Sequence, residues 1–199
     1  MEDLQFVLAS ASIARRRLLA DAGLAAFVCP SKFDEDQVQL SDPADLVNTL
    51  AQSKAETVAP QFRKALVLGC DSVLVFNGQI YGKPDGPEDA IFRWQEMRGK
   101  RGELYTGHAL IDTARQKSIV QCRVTQVYFA YVSDRQIRDY VATGEPLNCA
   151  GAFAIDGKGS ILVEKIDGCY TNVVGLSMSL LREMIRDLGY DITDFWAGH

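Results

Sequence analysis

Histidine is scarce in this chain: there are two, His108 in a strand-like run and His199 at the very end. A histidine-based zinc site is therefore not expected, and a Ser-His-Asp triad would have to use one of these two. Paired cysteines are also missing. The five cysteines (Cys29, Cys70, Cys122, Cys149 and Cys169) are odd in number, widely spread and never in a C-x-x-C pattern. That excludes a disulfide framework and leaves small, buried hydrophobes in a reducing cytoplasm as the expectation. No apolar run approaches the roughly 20 residues that span a bilayer. Met1-Glu2-Asp3 is acidic, so no secretory signal is expected. An excess of basic charge is lacking too. The formal net charge is −5, which argues against a nucleic-acid polymer as partner but leaves room for a local basic pocket. Neither a G-x-x-x-x-G-K-S/T loop nor a G-x-G-x-x-G after the first strand is present.

What is present is an ordinary globular balance, 47% hydrophobic and 24% charged over 199 residues. That length suits one large domain, residues 1–199, or two small lobes sharing a sheet. Leu4 to Ala9 reads as a short buried strand, followed by a helix from about Ile13 to Asp21 stopped by Gly23. Ala26 to Cys29 is strand-like, and residues 30–42 form an acidic loop around Asp34-Glu35-Asp36. Asp42-Pro43 opens a helix, aspartate as N-cap and proline at the first helical position. Ala65 to Cys70 reads as a doubly covered strand ending at Asp71, and Asn77-Gly78 joins Val73–Phe76 to Gln79–Tyr81 as a hairpin. Pro87 to about Met97 is a helix. Two long strands are expected over Glu103–Thr113 and Ser118–Val132. Ser133 and Gln136 form a capping box for a helix ending at Gly144. Cys149 to Gly159 is glycine-rich and irregular, Ser160 to Lys165 is a strand, and a last helix runs from about Ser177 to Leu188. Its apolar face, Leu180, Leu181, Met184, Ile185 and Leu188, closes the core or pairs two copies into a homodimer. Helices and strands alternate, so the class is α/β with a long mixed sheet flanked by helices.

One residue is out of place. Val47, Leu50, Ala51, Ala55 and Val58 recur at helical spacing, and Lys54 falls inside that stripe. A helix burying this face buries the amine, which is costly without an anionic partner. The fold must supply carboxylates, or the lysine awaits an anion from outside. Asp71, at the end of a buried strand, stands where α/β sheets carry functional groups; alone it reads equally as a turn residue. Glu35 alone reads as part of a solvated charge run. Together they can hold a divalent cation such as Mg²⁺ or Mn²⁺, and one of them can deprotonate a water. Ser10-Ala-Ser12-Ile-Ala-Arg15 lies between a strand and a helix N-terminus. That position offers free N–H groups and a positive dipole end to a phosphate, with an arginine to grip it. The alternative is that Ser12 merely caps the helix and Arg15, Arg16 and Arg17 form its wet face. Lys83, in Tyr81-Gly82-Lys83-Pro84, is aimed by neighbours that restrict the backbone, or is simply an exposed turn lysine.

These residues, in order, resemble a known family. Leu8-Ala-Ser10-Ala-Ser12-x-x-Arg15, Asp34-Glu35, Lys54-Ala55, Gly69-Cys-Asp71-Ser72, Gly82-Lys83-Pro84, and Glu164-Lys-Ile-Asp-Gly168 with Gly175-Leu176 are similar to the motifs of the Maf family of nucleoside triphosphate pyrophosphatases. The series spans residues 8–176, and its joint order and spacing are more specific than any one motif. The resemblance implies a two-lobed α/β fold with a central cleft, similar to inosine-triphosphate pyrophosphatases. It implies a divalent metal and cleavage between the α- and β-phosphates of a nucleotide, giving a monophosphate and pyrophosphate, with non-canonical nucleotides among the candidate targets. The family's general base maps onto Asp71, and its serine, arginine, glutamate and lysines onto Ser10 or Ser12, Arg15, Glu35, Lys54 and Lys83. This chain departs from the family at three places. Ile13 stands where many members have proline, and Ser72 where many have threonine. Asp156 stands where a thymidine- and uridine-triphosphate branch has glutamine, and it also differs from the glutamate of a 7-methylguanosine branch.

The expected mechanism places Glu35 and Asp71 on the metal, with Asp71 drawing a proton from water. Arg15, Lys54 and Lys83 offset the phosphate charge, and Asp156 accepts hydrogen bonds from a base. Phosphoryl displacement asks mainly for positioning and charge. A non-catalytic nucleotide-binding regulator linked to cell division, and a metal-dependent phosphohydrolase releasing orthophosphate, are the rival readings. The expected setting is the cytoplasm, with a nucleoside triphosphate as partner and no membrane.

Overall fold

The computed structural model describes residues 4–197, so the acidic start and His199 lie outside the described residues. The elements run β1 (Gln5–Leu8), α1 (Ile13–Asp21), β2 (Ala26–Val28), α2 (Pro43–Val58), β3 (Ala65–Phe76), β4 (Gln79–Tyr81), α3 (Pro87–Met97), β5 (Arg101–Asp112), β6 (Lys117–Phe129), α4 (Asp134–Ala142), β7 (Val163–Asp167), α5 (Tyr170–Val174) and α6 (Met178–Asp187). The strands form a seven-stranded sheet in the order β2-β1-β3-β5-β6-β7, with β4 on β3. β1 is parallel to β2 and β3, whereas β4 and β7 pair antiparallel with β3 and β6. The sheet is mixed and the class is α/β. Among the described residues no helix is long and apolar enough to cross a membrane.

The chain divides into two compact units, one made of residues up to Asp71, Thr106–Arg123 and the chain from Gly175 onward, the other of Ser72–Tyr105 and Val124–Val174. In the first unit the strand period of two decides which core each residue joins. Phe6, Leu8, Leu66, Leu68 and Cys70 pack with α1 and with Leu180, Leu181, Met184 and Ile185 of α6. The intervening Val7, Ala9, Ala65 and Val67 pack with Ala51, Ala55 and Val58 of α2. The apolar face of α6 thus closes the core of its own unit. The second unit has its own core around Trp94 of α3. The Trp94 indole meets Phe129 and Tyr140 edge-on, at centroid distances of 5.5 and 5.7 Å. Its Nε1 donates to the Ala152 carbonyl at 2.7 Å. The Asn77-Gly78 turn has φ of 49° and 77°, the left-handed pair that a tight hairpin demands.

Several boundaries differ from the sequence expectation. β3 does not end at Asp71; it runs unbroken from Ala65 to Phe76. A charge can sit in mid-strand because Lys54 pairs with it. β7 starts later than expected, at Val163, because residues 158–162 take a 3-10 turn first. The short helix α5 lies in a stretch with no helical period long enough to notice. All five cysteines are free thiols, but only Cys70 is buried; Cys29, Cys122, Cys149 and Cys169 are half-buried.

Candidate active site

Asp42 caps α2 by accepting from the Asp45 N–H at 2.9 Å, and Pro43 follows at the first turn. The helix then lies unusually close to the sheet. A Cβ at Gly69 of β3 would fall 2.1 Å from the Ala51 carbonyl oxygen, and one at Gly107 of β5 would fall 2.2 Å from that of Val47. Only glycine admits this approach, which carries Lys54 down to the strand. Its Nζ donates to Asp71 Oδ1 at 2.6 Å and lies 2.8 Å from Glu35 Oε1. Lys54 and Asp71 are each 9% exposed. Glu35, in the 3-10 turn Glu35–Gln37, keeps about half of its side chain in solvent. The buried amine therefore has the carboxylates that its position required.

The second cluster of this unit follows β1. Ser12 caps α1, its Oγ accepting from the Arg15 N–H at 3.3 Å. Ser10 Oγ accepts from the Ser12 N–H at 3.2 Å and from Arg15 Nη1 at 3.3 Å. Arg15 Nε donates to the Gly175 carbonyl at 2.7 Å, which turns the guanidinium toward its own helix start. Ser12 is thus the cap of the bland reading, and its hydroxyl still keeps an O–H proton to donate. Leu8 pairs in parallel with Leu68, and Ser10 and Cys70 each follow two residues beyond that pair. Burial pushes the Cys70 thiol up to about 11, with the charges of Arg15 and Lys54 pulling it down and Asp71 raising it. One buried thiol thus feels the cations of both clusters. The structure brings Ser10, Ser12 and Arg15 together, and Glu35, Lys54 and Asp71 together.

His108 takes no part in nucleophilic chemistry. It is fully buried in β5, and its Nε2 accepts from the Ser177 N–H at 2.9 Å, the N-cap of α6. Burial pulls it down to about 3, helped by the Arg15 charge, so the ring is neutral at ordinary pH.

In the second unit, Lys83 is exposed on its turn. The turn is braced from both sides. The Gly82 carbonyl accepts from Arg93 Nη1 at 2.9 Å and from the Gly151 N–H at 3.0 Å. The Asp85 N–H donates to Asp89 Oδ2 at 3.0 Å, and that oxygen lies 2.6 Å from Arg93 Nη2. Arg93 also stacks over the Tyr81 ring at 4.7 Å. Asp156 is exposed on the irregular stretch after Gly151. Asp156 and Lys83 both act on the half-buried Cys149 thiol. Burial is the main cause of its rise to about 11; the aspartate adds to that rise and the lysine opposes it. Sequence reasoning passed over Asp89, Arg93 and the Gly175 carbonyl. The spacing of Asp89 and Arg93, four apart on a helix that follows the lysine turn, was the available signal. A carbonyl that anchors an arginine from 160 residues away leaves none.

Among the described residues no group of three or more His, Cys, Asp or Glu side chains is arranged to hold a metal ion. The acidic set near Lys54 is the pair Glu35 and Asp71. The family model described as Maf-like protein matches residues 5–188. The chain belongs to the Maf family. Among Maf relatives, a protein of Nostoc punctiforme named nucleoside triphosphate pyrophosphatase is 64% identical, the match covering 96% of this chain and 97% of that one. One of Trichormus variabilis with the same name is 60% identical, covering 98% and 100%. A solved HAM1 protein from Coxiella burnetii aligns over 65% of this Maf chain and 75% of its own, at 15% identity and a TM-score of 0.42. Ile13, the departure from the Maf proline, is the first residue of α1 and 74% exposed. That is the position where proline is most easily exchanged for another residue, since its N–H has no helical partner.

Proposed function

We propose that this Maf protein hydrolyses a nucleoside triphosphate between its α- and β-phosphates, releasing a nucleoside monophosphate and pyrophosphate. The observation that carries the reading is the Lys54–Asp71–Glu35 trio. A cation fixed in a nearly dry strand–helix junction, beside two carboxylates, is the equipment of anhydride hydrolysis rather than of a structural core. The names of the Nostoc punctiforme and Trichormus variabilis relatives support the same reaction.

In this reading Asp71 takes the proton of the attacking water. Lys54 and Arg15 offset the phosphate charge, and the Ser10 and Ser12 hydroxyls with the N-terminus of α1 donate to phosphate oxygens. Lys83 is a further phosphate contact and Asp156 a contact to the base. A divalent cation fits the acidic pair. Two oxygens already set within hydrogen-bond distance of one ammonium form a site built for positive charge, and Mg²⁺ is commonly held by one or two carboxylates with substrate phosphates completing its shell. Glu35 and Asp71 would hold it, and the bound ion would polarise the phosphoryl oxygens. Free thiols throughout the described residues favour a cytoplasmic setting.

The test is a panel of nucleoside triphosphates incubated with Mg²⁺ or Mn²⁺ and with a chelator, the products resolved by phosphorus NMR. Monophosphate with pyrophosphate, lost on chelation, is the expected outcome. Diphosphate with orthophosphate would assign the phosphohydrolase reading, and binding without turnover the regulator.

A further inference from the structure

The irregular stretch that carries Asp156 is held by one carboxylate and one phenol. Glu145 follows α4 in a 3-10 turn. Its Oε2 accepts from the Lys158 N–H at 2.9 Å, and its Oε1 accepts from the Gly159 N–H and from the Tyr140 hydroxyl, each at 2.9 Å. The Tyr140 oxygen in turn accepts from the Ala154 N–H at 3.1 Å. The chain is drawn tight over this pair. A Cβ at Gly157 would fall 2.4 Å from Glu145 Oε2, and one at Gly159 would fall 2.5 Å from the Tyr140 oxygen. Burial pushes the Glu145 carboxyl up, but its hydrogen bonds from Lys158, Gly159 and Tyr140 outweigh that and hold it below the usual carboxylate range. It is an ionised anchor with three donors fixed on it. The backbone is pinned at Ala154, Lys158 and Gly159, and what it raises between them is Ile155-Asp156-Gly157, with the aspartate exposed.

A clasp of this kind beneath an exposed carboxylate has a use if the carboxylate must stand in a fixed place. We propose that Glu145, with Tyr140, is a positioning residue for base selection, holding Asp156 to read a base edge that presents two adjacent N–H donors, as guanine does. The proposal rests on the reading of Asp156 as the base contact given above. Its chemistry is simple. An ionised carboxylate accepts two parallel N–H bonds and donates none. The guanine edge offers N1–H beside its exocyclic amine. Uracil and thymine flank their single N–H with carbonyls that repel a carboxylate, and adenine and cytosine set a ring acceptor beside their amine. Selectivity of this kind exists only while the carboxylate is held in register, since a displaced acceptor loses both bonds together.

The experiment compares kcat and KM for GTP, UTP, ATP and CTP in the wild type, Glu145→Gln, Tyr140→Phe and Asp156→Asn, with thermal melts of each. Glutamine keeps the shape but offers one acceptor oxygen to three donors. The wild type is expected to favour GTP. Glu145→Gln and Asp156→Asn should each lower the preference for GTP over UTP by about tenfold or more, the scale of a good bidentate base contact, mainly through the KM for GTP. Tyr140→Phe, which leaves the carboxylate two of its donors and keeps the ring packed on Trp94, should show a smaller loss in the same direction. A wild type indifferent to base, or a Glu145→Gln that slows all four nucleotides equally, would overturn the proposal; the second result would mark a merely structural clasp. Absence of pyrophosphate from every nucleotide would instead strike the underlying activity.

Discussion

Lys54 donates to Asp71 at 2.6 Å from mid-helix to mid-strand, and the contact joins two side chains that are each nine-tenths buried. If Asp71 is the general base, Asp71→Asn keeps the volume and a hydrogen bond to Lys54 but cannot take a proton. Its kcat should fall by more than about 100-fold, the usual scale for such a group, with the folded state retained. Pyrophosphate release near the wild-type rate would remove Asp71 from the chemistry.

Lys54→Met fills the same space without charge. A hydrogen bond to a charged group contributes about 1.5–3 kcal/mol, so the affinity for nucleotide should drop roughly 10- to 100-fold. The chain should still melt cooperatively, because methionine suits the alanine-lined face of α2, but at a lower urea midpoint, because Asp71 is left buried without its cation. Titration of nucleotide into the variant checks the first point and a urea melt the second. An unfolded variant would make the lysine chiefly structural.

Gly69→Ala tests how the lysine is delivered. The new methyl meets a backbone carbonyl, which cannot rotate out of the way, so α2 must lift from the strand. Overpacking of this kind costs about 1–3 kcal/mol, and the shift should lower kcat/KM by more than the urea midpoint alone would explain. An active variant with an unchanged midpoint would show that the helix has slack.

Arg93→Lys keeps a cation beside Asp89 but loses the fork that reaches both Asp89 and the Gly82 carbonyl. If the brace aims Lys83, KM should rise several-fold, on the order of one lost hydrogen bond of about 1 kcal/mol, with kcat little changed. Equal kinetics in the variant would make the brace irrelevant to Lys83.

His108 predicts a pH dependence of stability. Its folded-state value, about 3, lies below the ordinary value of 6.5. Between these limits the unfolded chain binds a proton that the folded chain refuses, so stability falls as pH drops from 6.5 toward 3. Melting temperatures across this window should decline less steeply in His108→Gln, which cannot be protonated there. Parallel curves for the two proteins would contradict it.

Much of this fold was legible because the local signals were physical ones. Ser12, Asp42 and Ser133 cap the helices that their positions announced, and α1 and α3 hold their expected bounds. Lys54 was legible as an anomaly, since a charge on an apolar stripe demands a partner. What escaped was long-range. Asp71 looked like a strand end because a lone aspartate interrupts an apolar run, and only its pairing with Lys54 lets β3 continue. Glu145 sits in an unremarkable Gly-Glu-Pro turn, and two of its three donors lie 13 and 14 residues downstream on backbone atoms, which no side-chain pattern reveals.

A helix seated on bare backbone at Gly69 and Gly107 has no cushion beneath it. The backbone of Lys54 is therefore held at a fixed height over the strand. Of the lysine's two partners, the one with room to give way is Glu35, half in water on its short turn. If the nucleotide binds as proposed, its entry becomes an exchange at the outer carboxylate, Glu35, rather than at Asp71 in its strand. One ammonium between two carboxylates leaves a surplus negative charge, so the carboxylate that gives way first need not be the one that takes the proton.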